Sequence, residues 1–375
     1  LVLASSLAAE KRPNLLFILV DDQSPFDLKI YNPKSTLETP NLDKLAAQGM
    51  VFDGAYHMGS FSGAVCMPSR HMIMSGRTVW HLPPAPWGAK TCPPALEQQT
   101  IPAVFNRAGY ATMRTCKMGN SYEAANKLFT VRKDATKRGG TAETGSAWHA
   151  ERVLDYLGKE DLAKNTVVIL SSDQGFYLGE HGWFDKRWIF EESVRTPLLV
   201  RWPGVTKPGS VSKALVSNVD YAQTFLAMAG LPSPAEMQGR SLTPILAGET
   251  PADWRKEFYY HYYEYPQPHH VAPHYGIITD RYKLVRYYGN GETKTDLFDS
   301  EKDPLELKSF FGQPGYETVQ ADLEARLAKL RSDLKVPAVD DEYATGEKKR
   351  PGANQGQGKN AGKKGKAAPK APEAK

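Results

Sequence analysis

Residues 14–22, Asn-Leu-Leu-Phe-Ile-Leu-Val-Asp-Asp, decide the fold that this sequence predicts. The apolar run is short and uninterrupted, which is typical of a strand buried on both faces in the centre of a parallel sheet. Residues 166–170, Thr-Val-Val-Ile-Leu, repeat the pattern and lead into Ser-Ser-Asp. Residues 197–202 form a third candidate strand, which Pro203 and Gly204 end.

Helical patterns separate these strand candidates. They cover residues 40–48, which begin with a proline and are followed by Gly49, and residues 148–157 and 220–229. Strands that alternate with amphipathic helices predict an α/β fold, in which a large, mostly parallel mixed sheet is flanked by helices. A chain of 375 residues has room for one such domain and a small second unit.

The composition changes after about Trp254. The features beyond it are two aromatic-rich strand candidates, a turn signal and an amphipathic helix, at residues 258–265, 275–288, 289–291 and 317–334. We therefore expect a large domain over residues 10–254 and a smaller α+β subdomain over residues 255–345.

The positive charge of the chain is concentrated at its end. Of a formal net charge of +5, residues 346–375 contribute nine Lys or Arg and two Glu, so the rest is slightly negative. A near-neutral folded part gives no reason to expect nucleic-acid binding. Residues 346–375 contain no Val, Ile, Leu, Phe, Tyr or Trp, so we expect a disordered, solvated tail; binding of an anionic surface or glycan is the alternative.

The first residues have the composition of a targeting segment. Residues 1–9 form a short apolar stretch that ends on small residues, which indicates the remnant of a secretory signal peptide; a frayed terminus is the alternative. We therefore expect a periplasmic or extracellular protein. No stretch approaches the apolar length that spans a bilayer. Three cysteines are too few for a disulfide scaffold, and Cys92 and Cys116 either pair or remain thiols.

Acidic residues follow two of the predicted strands. Asp21 and Asp22 come after the first, and Asp173 and Gln174 come after the second. In open α/β sheets, ligands bind beyond the carboxyl ends of the strands, where these oxygens would converge. Oxygen donors suit Ca²⁺ or Mg²⁺ and disfavour zinc. The alternative is that the acidic residues only form turns or helix caps.

Cys66-Met67-Pro68-Ser69-Arg70 is the strongest local signal. Residues 69–75 can be helical, and Pro68 suits a first helical position. Cys66 would then lie just ahead of the helix. A reactive group there faces unpaired N–H groups and the positive end of the helix dipole, so it is suited to an anion. Arg70 lies about one turn further on and can point the same way. The alternative for Cys66 is a small buried residue.

Residues 66–70 resemble the activation motif of the type I sulfatases, which belong to the alkaline-phosphatase-like superfamily. Other segments resemble the same family in the same order, at residues 12–14 with 21–22, 39–43, 172–175, 179–182, 186, 282–284, 297–299 and 303–304. The resemblance covers most of residues 12–120 and 166–335. It looks closest to bacterial members related to choline and iduronate sulfatases.

The resemblance implies a nucleophile and a metal site. Cys66 would be oxidised to formylglycine by a maturation enzyme, and the hydrated aldehyde would attack the sulfur of a sulfate ester. The substrate would be a sulfate ester, with sulfated carbohydrates as the specific expectation. A divalent cation, Ca²⁺ or alternatively Mg²⁺, would be held by residue 66 together with Asp21, Asp22, Asp173 and Gln174.

The resemblance also implies the groups that handle the sulfate. Arg70, Lys117 and Lys186 would neutralise it and the charge that develops on it. His181 would either approach the leaving group or have a structural hydrogen-bonding role. His261, His269, His270 and His274 either line the substrate mouth or are ordinary residues of surface strands.

The sequence departs from the family pattern in three places. Gln174 stands where Asn or His is usual, and residues 118–120 lack the His that commonly follows the first active-site Lys. The chain between Lys117 and Asp173 is too short for the strand and His-rich turn expected there, and its one histidine, His149, lies in the predicted helix. We expect residues 119–165 to run as loop plus helix at the rim of an open pocket.

The leading hypothesis is a secreted, Ca²⁺-dependent sulfatase. A phosphonate or phosphate ester hydrolase is a close enzymatic alternative, because related enzymes use the same nucleophile and a similar metal site. A catalytically impaired protein that binds sulfated glycans is the alternative that the short centre favours.

Overall fold

The computed structural model describes residues 12–60, 62–83, 92–117, 119–134, 162–264, 269–288 and 293–337. The predicted signal segment, the predicted helix with His149, the turn signal at 289–291 and the basic tail lie outside these residues.

Strands and helices alternate through the first half of the described chain, and strands dominate the second. The strands are β1 Asn14–Val20, β2 Met50–Phe52, β3 Ala55–Tyr56, β4 Gly59–Ser60, β5 Met113–Arg114, β6 Val131–Arg132, β7 Thr166–Ser172, β8 Tyr177–Leu178, β9 Phe184–Asp185, β10 Leu198–Arg201, β11 Ser210–Ser212, β12 Val216–Ser217, β13 Glu257–Tyr262, β14 His274–Thr279, β15 Tyr282–Tyr287 and β16 Lys294–Asp299. The helices are α1 Pro40–Gln48, α2 Cys66–Ser75, α3 Pro94–Glu97, α4 Ile101–Arg107, α5 Glu123–Asn126, α6 Glu191–Val194, α7 Asp220–Met228, α8 Thr243–Leu246 and α9 Glu317–Asp333.

The first sheet confirms the predicted α/β architecture. Its strand order is β1-β7-β10-β2-β11, with β1–β7 and β2–β11 parallel and the other two pairs antiparallel. Helix α1 covers one face through a small cluster around Ala46 and Leu199. Helices α4, α7 and α8 cover the other face, where Ile169, Val200 and Phe225 lie in the main core. The sheet is therefore mixed and flanked by helices on both faces.

Strand β1 differs from the expected central strand. In the described part of the chain it pairs with β7 alone and lies at the end of the sheet. Its residues are only partly buried, and Ile18 is 40% exposed. The apolar run is long enough for a central position, but the short stretch between Lys117 and Asp173 supplies no described strand for its outer edge.

The second sheet forms the C-terminal half of the described chain. Its order is β16-β15-β14-β13-β4, and β4 is contributed by the residues just before Cys66. Helix α9 packs on one face through Leu323 and Leu327. The segment around α6 packs on the other face through Ile189 and Val194. The second sheet therefore includes a strand from the first half of the chain. The division expected near residue 254 stays a prediction.

Sequence patterns matched most element positions. The candidate strand at 275–288 is two strands joined at Asp280 and Arg281, a turn that the aromatic pattern did not reveal. No helix of the described residues combines the length and the apolar character needed to cross a bilayer.

Candidate active site

Two neighbouring strands bring the predicted acidic residues together. β1 and β7 are parallel and in register to their last residues, Val20 opposite Ser172, so their carboxyl ends meet at one sheet edge. The backbone N–H of Asp22 donates to Oδ1 of Asp173 at 3.2 Å. Asp22 has a φ of 59°, a left-handed conformation that is uncommon outside glycine. The backbone therefore turns sharply just where the carboxylates gather.

Cys66 lies at the centre of this edge. It is the first residue of α2, with Pro68 third, whereas the sequence predicted a position just ahead of the helix. Its Sγ lies 3.7 Å from Oδ1 of Asp22 and accepts hydrogen bonds from Lys186 Nζ at 3.1 Å and Gln174 Nε2 at 3.4 Å. The residue is 2% exposed, so it is enclosed by the groups that contact it.

One ligand atom from each of four residues falls in a compact group. Donor atoms of Asp21, Asp22, Cys66 and Asp173 all lie within 4.8 Å of one another. Five residues were expected at the metal site, and these are four of them; the fifth is Gln174. The prediction that Asp173 lies close to Asp21 and Asp22 is therefore met by the geometry.

Three cations balance the three carboxylates. Arg70 donates from Nε to Asp173 at 2.8 Å and from a terminal nitrogen to Asp21 at 3.0 Å. Lys117 forms an ion pair with Asp21, and Lys186 forms one with Asp22. All three expected cations thus reach the cluster. Arg70 is buried, whereas the Lys117 side chain is one-third exposed.

The environment shifts the pKa values of these groups in opposite directions. Burial raises the pKa of Asp173 to about 7, against the attraction of Arg70. Burial also opposes ionisation of Asp21, but Arg70 and Lys117 outweigh it and lower its pKa to about 2. Burial, together with the nearby Asp173 and Asp21, raises the pKa of the Cys66 thiol to about 11. The cluster therefore concentrates negative charge around a neutral sulfur.

The side-chain oxygen of Gln174 is relevant to metal binding. Its side-chain nitrogen donates to Asp22 and Cys66, but its Oε1 is buried and has no hydrogen-bond partner among the described residues. An unsatisfied buried carbonyl oxygen is costly and is a natural ligand for a hard cation. Beside three carboxylates, the donor set of this chain fits Ca²⁺ or Mg²⁺.

His181 does not reach the cluster. Its Nε2 lies 3.3 Å from Oε2 of Glu192, and its ring stacks on Phe190 with centroids 4.0 Å apart. The metal-ligand group contains no described histidine. Of the two expected roles for His181, these contacts fit the structural one.

The histidines of the second sheet are not surface residues as a group. His261 and His274 are fully buried on β13 and β14, against the expectation of exposed strands. His269 is partly exposed and its Nδ1 lies 3.0 Å from Glu264. The Glu264–His269 pair lies against Gly63, since a Cβ added to that glycine would come within 2.4 Å of the His269 ring. The pair therefore borders the loop before Cys66.

Two supporting residues were missed by sequence reasoning. Ser69 donates to the backbone oxygen of Asp173 at 2.5 Å and accepts from Asn218 at 3.0 Å, which ties α2 to the acidic turn. Asn218 lies in an ordinary polar stretch, and no local signal distinguishes it. The open question of the other cysteines is answered by free thiols: Cys116 contacts Arg70 at 3.3 Å, and Cys92 contacts Tyr122 at 3.1 Å.

Comparison with known proteins gives consistent results along the chain. The family model Sulfatase matches residues 13–139, and the model for the C-terminal part of N-sulphoglucosamine sulphohydrolase matches residues 179–333. The N-acetylglucosamine-6-O-sulfatase of Bacteroides thetaiotaomicron is 47% identical over 186 residues, which are 49% of this chain and 33% of that protein. The chain thus spans about a third of the length of the first curated relatives that it matches.

Solved structures agree over more of the chain. One, described as a complex with its substrate D-glucosamine-2-N,6-O-disulfate, is 25% identical with a TM-score of 0.73, and the match covers 88% of this chain and 100% of that one. A phosphonate monoester hydrolase from Silicibacter pomeroyi has a TM-score of 0.69 at 16% identity, covering 88% of this chain and 97% of that one, a likeness of fold alone.

Proposed function

We propose that this chain, which belongs to the sulfatase family of the alkaline-phosphatase-like fold, hydrolyses a sulfate ester of a sugar with residue 66 as the nucleophile. The observation that carries the proposal is the position of Cys66, at the start of α2 and in contact with both Lys186 and Asp22. The activities for which the relatives are named support a sugar sulfate as the substrate class.

The nucleophile is proposed to be formylglycine made from Cys66. The formylglycine mechanism is general for this family, and its hydrated aldehyde supplies the hydroxyl that attacks sulfur. Residues 66–70 retain the Cys-x-Pro-x-Arg pattern, which supports recognition by a maturation enzyme. A partner of that kind, and a secreted location, belong to the same proposal.

The cations of the chain would bind the substrate anion. Lys117 is one-third exposed, and the buried Lys186 pairs with the partly exposed Asp22, so the oxygens of a sulfate would approach the cluster from the side of Lys117. Arg70 remains on the buried side and fixes Asp173 and Asp21. Fixed cations lower the free energy of a transition state in which negative charge builds up on the sulfate.

The acidic residues would hold a divalent cation, proposed to be Ca²⁺. Asp21, Asp22, Asp173 and Oε1 of Gln174 are the ligands that the geometry supports, with residue 66 beside them. When bound, such an ion acts as a Lewis acid toward the nucleophile and the sulfate oxygens. Arg70 and Ser69 keep Asp173 oriented for it.

The test relates the rate of ester hydrolysis to the fraction of residue 66 that is converted to formylglycine. The chain is expressed with and without a formylglycine-generating enzyme, the peptide containing residue 66 is analysed by mass spectrometry, and rates are measured on matched aryl sulfate and aryl phosphate esters. We expect turnover of the sulfate to rise with the modified fraction. A faster rate on the phosphate ester would replace the proposal by the phosphoester hydrolase alternative.

The non-catalytic alternative rests on two specific observations. No described histidine belongs to the cluster, and the outer edge of β1 is unpaired in the described chain. A fully modified protein that binds a sulfated sugar but turns over none would establish a binding role.

A further inference from the structure

The β8–β9 hairpin exposes apolar side chains. Leu178 and Phe184 are opposite each other in its register, so they lie on the same face, and they are 62% and 73% exposed. Trp183, the residue before β9, is also partly exposed and packs against Trp188 with centroids 5.3 Å apart. Tyr177, on the other face, is fully buried.

Side-chain contacts connect this exposed face to the anion site. Lys186, which contacts Cys66, lies over the ring of Phe176, with Nζ 6.0 Å from the centroid. Phe176 in turn makes an edge-to-face contact with Phe184, with centroids 5.0 Å apart. A row of contacts thus runs from residue 66 through a cation and a half-buried ring to an exposed ring.

The chemistry of this row limits what it can bind. Single exposed apolar residues are normal, but Leu178 and Phe184 share one face of a short hairpin that ring contacts connect to a charged site, so they form a patch. A ligand that fills both must be anionic at one end and present an apolar surface next to it. A sulfated oligosaccharide does this, because the C–H face of a sugar ring is apolar and flat enough to pack on an aromatic ring.

We propose that Leu178 and Phe184 form a subsite that packs against the sugar unit next to the sulfated one. This inference rests on the proposed function and narrows its substrate class to sulfated oligosaccharides. The anion site holds the sulfate, and the hairpin discriminates between an oligosaccharide and a single sulfated sugar.

The test measures binding, so it does not depend on turnover. The full chain with unmodified Cys66 is titrated by calorimetry, in the presence of Ca²⁺, with glucosamine 6-sulfate and with a disaccharide that carries the same sulfated unit. We expect the disaccharide to bind about tenfold more tightly, and Phe184→Ala to remove most of that gain by deleting the ring. Phe184→Trp should keep the gain. Leu307→Ala, which removes a side chain of similar exposure elsewhere, should change neither affinity.

The outcomes distinguish failure of the sugar subsite from failure of the proposed function. If both sugars bind equally and Lys186→Ala weakens both, the subsite is wrong and the proposed function stands. If neither sugar binds, both are wrong. If Phe184→Ala leaves the disaccharide affinity intact but abolishes sedimentation with anionic lipid vesicles or self-association in light scattering, the hairpin faces a membrane or a second copy, and the sugar subsite is overturned.

Discussion

Residue 66, the proposed nucleophile, is buried. Cys66 is 2% exposed, and its sulfur contacts Lys186, Gln174 and Asp22. A side chain enclosed in this way is positioned by its neighbours rather than by its own backbone alone. The same enclosure means that a substitution at this position changes polar contacts more than apolar packing.

Replacing the nucleophile should separate activity from stability. We expect Cys66→Ala to abolish turnover and to change the free energy of unfolding by only about 1 kcal/mol, because a small side chain is replaced by a smaller one. Turnover assays on aryl sulfate and urea unfolding check the two parts. Cys66→Ser serves as the conservative control and should be equally inactive in a host that cannot oxidise Ser. Residual turnover by the alanine variant would exclude the formylglycine mechanism.

The carboxylate that contacts Cys66 should be required for metal binding. We expect Asp22→Ala to lower Ca²⁺ affinity at least tenfold, because a hard cation loses one of few anionic ligands. Calorimetric titration of the full chain measures it. Asp27→Ala, a nearby acid outside the cluster, is the control. Equal Ca²⁺ affinity in Asp22→Ala and wild type would remove Asp22 from the site.

At the scale of elements, the site depends on how short segments pack against one another. Gly175, directly after Gln174, donates its N–H to the backbone oxygen of Ser193 at 2.7 Å. A Cβ at this position would lie 1.9 Å from the backbone oxygen of Glu192. The glycine therefore allows α6 to approach the turn that contains Asp173 and Gln174, and these two segments support each other.

An added methyl group at this contact should be costly. We expect Gly175→Ala to destabilise the protein by more than about 2 kcal/mol, because backbone must move away from backbone. Thermal unfolding checks the effect. Gly230→Ala is the control, since its position has a positive φ of 68° but no atom near the new Cβ, and should cost only about 1 kcal/mol. Similar losses in both variants would show that the close approach is not what requires glycine at 175.

A buried ion cluster connects α6 to the second sheet. Lys283 of β15 lies 2.9 Å from Glu191 and 2.7 Å from Glu306, and it donates to the backbone oxygen of Ile189. Burial raises the pKa of Glu306 to about 7, against the attraction of Lys283. One buried cation thus faces two carboxylates, and it holds the segment that follows Lys186.

This cluster predicts a pH-dependent stability. The folded pKa of Glu306 is above its ordinary value of 4.5, so its contribution to stability is greatest below pH 4.5 and is lost as pH rises toward 7. Glu306→Gln removes this titration, so its stability relative to wild type should improve by on the order of 2 kcal/mol between pH 4.5 and 7.5. Urea unfolding across that range measures it. Glu301→Gln, on the surface, should give a flat difference, and a flat difference for Glu306→Gln would refute the shift.

At the scale of the whole molecule, sequence patterns predicted the elements that follow local rules. The apolar runs of β1 and β7 predict two strands whose carboxyl ends meet, and therefore predict that Asp21, Asp22, Asp173 and Gln174 lie at one edge of the sheet. The position of β1 in the sheet was not predictable, because strand order depends on which other strands exist. The contacts of Asn218 are long-range, and nothing in its local sequence marks them. Lys283 lies in a segment that resembles the family, but its local sequence does not reveal that it pairs with Glu191 and Glu306.

Among the described residues, β1 has no neighbour on its outer side and the acidic cluster has no histidine, which predicts slow turnover. In the described part of the chain β1 has one neighbour, Ile18 is 40% exposed, and the cluster beside Cys66 contains no histidine. A positioned general acid or base contributes about 10²–10⁴-fold to a rate. With the modified fraction quantified by mass spectrometry in both proteins, we therefore expect turnover of a small aryl sulfate to be at least about 100-fold below that of the Bacteroides thetaiotaomicron relative. Comparable rates would mean that another group of this chain transfers the proton. His181→Asn and His269→Asn would then be compared, and a selective loss of rate on substrates with poor leaving groups would identify the group.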